Sequence, residues 1–125
     1  MPETFHPNGT LKSKYHYENG KLQGLLEVYF DNGFLESKRY YKDGELHGAI
    51  ETFFRNGQLK SKGEYQNGKK CGPSFRYHPN GYTKSLNHYL EGQLHGPHRL
   101  FSNRGELIYT GVFRIGNLER KVLHE

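Results

Sequence analysis

The chain has 125 residues, a hydrophobic share of 33%, one cysteine and a formal net charge of +5. The length fits a single domain over residues 1–125. Lone Cys71 excludes an internal disulfide, and no apolar run approaches the ~20 residues needed to cross a bilayer. Met1-Pro2-Glu3-Thr4-Phe5 lacks a basic segment followed by an apolar one, so no signal peptide and a cytoplasmic location are expected. The basic balance favours acidic partners: a protein surface, phospholipid headgroups or nucleic acid.

A low apolar share is the mark of disorder only when nothing replaces it. Here 10 tyrosines and 8 phenylalanines recur at fixed positions and supply the large side chains of a thin fold. The glycines follow a schedule. Gly9, Gly33, Gly57, Gly81 and Gly105 are each 24 apart, as are Gly20, Gly44, Gly68, Gly92 and Gly116. Gly24, Gly48, Gly72 and Gly96 keep the same step until Arg120 breaks it. A fixed period of this length marks a tandem array.

In chain order, Phe5 opens an aromatic column continued by Tyr29, Phe53, Tyr77 and Phe101. A first strand is predicted over 11–17, with copies at 35–41, 59–65, 83–89 and 107–113. Leu11, Leu35, Leu59 and Leu107 form one column along it, Ser13, Ser37, Ser61 and Ser85 a second, and Tyr17, Tyr41, Tyr65, Tyr89 and Phe113 a third. Period-2 geometry puts all three columns on one face and Lys12, Lys14, Lys60 and Lys62 on the other. Asn19-Gly20, Asp43-Gly44 and Asn67-Gly68 then predict tight hairpin turns with positive φ. A second strand follows over about 22–31, with copies at 46–55, 70–79 and 94–103. The expected fold is all-β: one elongated, twisted, antiparallel meander of about ten strands built from five tandem hairpins. Odd-numbered aromatics and even-numbered Leu22, Leu46 and Leu94 disagree in parity. A bulge of one residue at the Gly24, Gly48, Gly72, Gly96 column would reconcile them. The charged stretch Leu118 to Glu125 would blunt one open edge.

The residues from Asn32 through Tyr41-Lys42-Asp43-Gly44-Glu45-Leu46-His47-Gly48 are similar to the MORN repeat (membrane occupation and recognition nexus), in its variant form with a 24-residue step. The resemblance covers all five copies, about residues 5 to 120. It implies single-sheet hairpin arrays used as binding scaffolds. It further implies antitoxin or immunity components among bacterial members, and phosphoinositide or partner-helix binding among some eukaryotic ones.

Candidate chemistry is thin. Gln23, His47, Cys71, His95 and Glu119 share a column of metal-ligand types. Successive members, however, lie two strands apart, roughly 9–10 Å, and zinc needs its ligand atoms ~2.0–2.3 Å from one ion. A turn-flanking polar position is the better reading. The serine column offers four equivalent hydroxyls rather than one activated copy beside one base. No phosphate loop followed by a helix exists. Neither an enzyme nor a cofactor is expected.

Two surface features remain. One is the lysine ladder Lys12, Lys14, Lys38, Lys60, Lys62 and Lys84. The other is an apolar set, Leu26, Val28, Phe30, Ile50 and Phe54, whose columns turn polar in later repeats (Ser74, Arg76, His78, His98, Ser102). With the aromatic column facing the core, this set lies on the opposite face beside the lysines and marks a partner site. With the pleat inverted, it is the core itself. The functional expectation is a non-enzymatic scaffold, most concretely an antitoxin or immunity protein. In that reading the lysines steer an acidic toxin or effector, and Phe30, Phe54 and Tyr40 anchor it. The alternative is peripheral attachment to anionic phospholipid through the basic face. Nucleic acid ranks third, since no recognised motif supports it.

Overall fold

A computed structural model describes residues 2–124. Met1 and Glu125, the ends of the expected domain and of the charged terminal stretch, lie outside the described residues. The chain forms fourteen strands and no helix among the described residues. They are β1 (Glu3–Phe5), β2 (Leu11–Lys14), β3 (Tyr17–Glu18), β4 (Lys21–Leu22), β5 (Gly24–Tyr29), β6 (Leu35–Lys42), β7 (Glu45–Phe53), β8 (Leu59–Gln66), β9 (Lys69–Tyr77), β10 (Thr83–Leu90), β11 (Gln93–Leu94), β12 (Gly96–Phe101), β13 (Leu107–Arg114) and β14 (Asn117–Leu123). The main sheet runs β1-β2-β5-β6-β7-β8-β9-β10-β12-β13-β14 with every pair antiparallel, and β3-β4 form a separate pair. At ~4.8 Å per strand, eleven strands in a row make a ribbon about 48 Å long.

Two kinds of turn alternate, and the sequence dictates each. Asn19, Asp43, Asn67, Glu91 and Ile115 have φ between 44° and 53°, each followed by a positive-φ glycine. That is the two-residue turn whose twist matches a hairpin. At the other end, Gly33 donates to the Phe30 carbonyl and Phe30 donates to the Phe34 carbonyl (3.0 and 2.8 Å). Positive-φ Gly33 closes that turn, and the same pair of bonds recurs at Phe54, His78 and Ser102.

The faces differ from the sequence expectation at two columns. The glycine column at Gly48 and Gly72 does interrupt the ladder, but by two residues. Arg39 opposes Ile50 while Tyr41 opposes Leu46, and Lys62 opposes Phe75 while Glu64 opposes Cys71. An insertion of two leaves the pleat unflipped, so Leu46 and Ile50 share a face. The one-residue bulge sits elsewhere. Thr52 opposes Ser61 and Phe53 opposes Leu59, leaving Lys60 extra; Lys12, Glu36, Lys84 and Ile108 are extra in the same way. This bulge flips the pleat between the leucine and serine columns. Leu35 and Leu59 therefore partner the aromatics Tyr29 and Phe53, while Ser37, Arg39 and Tyr41 occupy the other face. The parity conflict between Leu46 and Phe53 dissolves because the two point to opposite sides.

Neither face is covered by a second layer. Among the described residues no hydrophobic side chain is fully buried, and Ser37 and Ser85 are the buried polar ones (5% and 4% exposed). The accessible area is 8102 Å², against roughly 6,900 Å² for a compact monomer of this mass. Burial comes from neighbours within one sheet.

Candidate functional site

The cross-strand register sorts the expected site residues onto two faces. Leu26 and Val28 oppose Arg39 and Ser37, and Ile50 opposes Arg39 and Gly63. Phe30 lines the same hollow as Leu26, Val28, Ser37 and Arg39. The apolar set thus lies on the serine face. Phe30 is capped by the Arg55 guanidinium at 5.2 Å and Phe54 by the Lys60 ammonium at 5.8 Å. Each cation covers one side of a ring that the single sheet leaves open, a contact worth about 0.5–1 kcal/mol at exposed sites.

Lys14, Lys38, Lys62 and Tyr40 occupy the opposite face. Lys14 opposes Glu27, Glu27 opposes Lys38, Lys38 opposes Glu51 and Glu51 opposes Lys62. The lysines are rungs of an alternating-charge row, so their field is compensated strand by strand. Lys62 also lies 5.0 Å over the Phe75 ring. Tyr40 opposes Leu25 and is 39% exposed. Lys12, Lys60 and Lys84 are exposed bulge residues. Of the expected lysines, Lys60 reaches the Phe54 ring and Lys62 lines a groove together with Ile50.

Sequence reasoning passed over the cations of the serine face. A groove of about 490 Å³ crosses this face over β6–β10. Arg39, Lys62, Lys70 and Arg76 line it, and its floor is small: Ser61, Gly63 and Ser74. No carboxylate lines it among the described residues. The strand glutamates Glu27, Glu51 and Glu64 all belong to the lysine face. Arg39 Nε is buried without a hydrogen-bond partner among the described residues, and Lys70 Nζ sits 4.8 Å over the Tyr89 ring. Part of the signal was there: Arg76 stands in a column of the apolar set, whereas Arg39 joins that face only once the bulge at Glu36 is placed.

The column of metal-ligand types is occupied by links between repeats. Gln23 Nε2 donates to Asp43 Oδ1 (2.6 Å), Asn67 N–H donates to His47 Nδ1 (3.5 Å) and Ile115 N–H donates to His95 Nδ1 (3.1 Å). These three members each reach the tight turn of the next repeat. At the opposite long edge, Asn8, Asn32 and Asn80 donate to the carbonyls of Asp31, Arg55 and Asn103 (2.9, 3.0 and 2.6 Å). Among the described residues no group of three or more His, Cys, Asp or Glu could hold a metal ion, and no helix is long and apolar enough to cross a membrane.

No curated protein matches the chain. The MORN repeat variant family matches at residues 3–19, 22–43 and 46–67, three successive units of the hairpin array described above. The same turns continue through β9–β14 and the same register through β13, while β13–β14 pair with a single extra residue at Glu119. MORN repeats are non-catalytic motifs that bind proteins or membrane lipids. With its sequence period, its one-sheet architecture and this match in agreement, the chain belongs to the MORN repeat variant family.

Proposed function

We propose that the chain is a non-enzymatic scaffold that holds a partner protein against the serine face of its sheet. The observation that carries this reading is an uncovered face on which Leu26, Val28, Phe30, Ile50 and Phe54 gather in two adjacent repeats. The set is half-buried within the sheet, and an apolar set beside charge is where a protein partner gains most from desolvation. The narrower form of the reading is an antitoxin or immunity protein that occludes a cognate toxin; the family resemblance supports it. Affinity capture from the native host, repeated with Leu26→Asp plus Ile50→Asp, tests the face. A partner recovered by the wild type and by Lys14→Gln plus Lys38→Gln, and lost with the aspartates, supports it. Retention by the aspartate variant would refute it.

The lipid reading uses the lysine face. The glutamates between Lys14, Lys38 and Lys62 argue against strong headgroup attraction there. Flotation with phosphatidylserine vesicles, lost in Lys38→Gln plus Lys62→Gln, would establish it instead.

A further inference from the structure

Resting on that reading, we infer that the groove over β6–β10 is an acid-recognition site. In it Arg39 and Arg76, supported by Lys70, receive carboxylates of an extended acidic segment of the partner protein. The apolar set then takes neutral side chains from the same segment.

Three observations converge. First, the groove is lined by cations and by donors, with no carboxylate among its lining residues, while Glu27, Glu51 and Glu64 sit on the other face; the bulge residue Glu36 lines the adjoining hollow with Arg39. An anion entering there replaces no internal ion pair. Second, Arg39 carries a buried Nε without a partner among the described residues. A desolvated guanidinium donor costs free energy until an acceptor arrives, and charge-assisted bonds to carboxylate are among the stronger available. Third, Gly63 does not have positive φ, so its backbone does not require glycine. Its absent side chain keeps the floor open, since an added Cβ would stand 3.3 Å from Ser74 Oγ.

Spacing selects the ligand. Arg39 lies on β6 and Arg76 on β9, three strands away, or about 14 Å between backbones. That separation suits two carboxylates on one chain better than a single phosphate. An extended peptide rises ~3.3 Å per residue, so acids about four residues apart, crossing the strands, would meet both arginines. Leu26 and Val28 on β5 then lie beyond Arg39 along the same line. A flat membrane would reach exposed Arg76 but not the half-buried Arg39 within the groove.

The test uses the full chain and a fluorescein-labelled peptide with glutamates four residues apart and leucines between them. A second peptide carries glutamine in place of each glutamate. The glutamate peptide should bind and shift the amide signals of Ser61, Gly63 and Ser74. Arg39→Gln and Arg76→Gln should each weaken it about tenfold, while Lys14→Gln plus Lys38→Gln leaves it unchanged. Arg76 is exposed, so Arg76→Gln keeps the test valid even where Arg39→Gln perturbs folding, which the dispersion of the amide spectrum reports. Equal binding of the glutamine peptide, with shifts centred on Leu26 and Ile50, would overturn acid recognition while sparing the scaffold reading. No shift on the serine face with either peptide, or shifts at Lys14 and Lys38, would overturn the groove assignment. Arginine-dependent capture by phosphatidylserine vesicles without peptide binding would assign the groove to lipid and overturn the proposal.

Discussion

At the scale of single residues, the tight turns show how far composition fixes conformation. Asn19, Asp43 and Asn67 tolerate the left-handed region, and the sequence announced those three hairpins correctly. Glu91 and Ile115 hold the same conformation with less suitable side chains. Ile115 is β-branched, has φ 44° and is 53% exposed, so its side chain repays little of that strain. Ile115→Asn should therefore stabilise the protein by about 1 kcal/mol, read as a higher urea midpoint at unchanged slope. The bond from the residue 115 N–H to His95 Nδ1 is a backbone bond and survives the change. A second residue-scale prediction concerns the exposed pair at the other edge. The Arg55 guanidinium donates to Asp31 Oδ1 at 2.6 Å, and that hydrogen bond, followed by its charge, holds the Asp31 carboxyl below its usual range. A lowered folded-state value favours folding above the ordinary carboxylate range. The contribution fades as pH falls through the lowered value. In Arg55→Gln the Asp31 titration, followed by carboxyl NMR, should move up toward the usual range. An unchanged midpoint would mean that the pair does not form in solution.

At the scale of elements, the two bulges explain which parts of the sheet could be read in advance. Strand order, turn positions and the interruption at Gly48 were legible because glycine spacing encodes them. The size of that interruption was not. One inserted residue and two give the same sequence signature, and only the register separates them. The bulge at Lys12, Glu36, Lys60 and Lys84 was invisible because no glycine marks it. Missing it put the leucine and serine columns on one face and hid Arg39 from the site, although Arg76 already stood in a column of the apolar set. The lysine ladder was misread for a related reason: its compensating glutamates come from the neighbouring strands and so lie far away in sequence. Gly48 has φ 105°, and an added Cβ would stand 3.6 Å from Tyr40 Cβ, an ordinary contact. Gly48→Ala should thus cost about 1–2 kcal/mol through backbone strain rather than a clash. Gly63→Ala, at ordinary φ with its added Cβ 3.3 Å from Ser74 Oγ, should cost less. Paired urea melts would decide it, and equal losses would contradict the distinction between a glycine needed by the backbone and one that clears a groove.

At the scale of the whole molecule, a sheet with no fully buried hydrophobic side chain among the described residues must draw its stability from nearest neighbours. Each strand is held by two ladders, and each repeat is tied to the next along both long edges, as by Asn32 Nδ2 to the Arg55 carbonyl and by Gly68 N–H to the Leu46 carbonyl (3.0 and 2.9 Å). A strand in the middle shares in both neighbours' interfaces, whereas an end strand has one. β14 is exposed at every residue and has β13 as its partner, and β3 pairs with β4 alone. Protection should therefore be graded rather than uniform. Amides of β6 to β10 should exchange slowest and those of β3, β4 and β14 fastest, with local opening from the ends inward. The same gradient would make the serine-face groove, which spans β6–β10, the stiffest part of the ribbon, and a rigid face loses less entropy when a partner docks. Native-state hydrogen exchange followed by NMR measures it directly. Equal protection from β2 to β13 would mean that the ribbon melts as one cooperative unit, and neighbour-by-neighbour stability would then be the wrong description of this sheet.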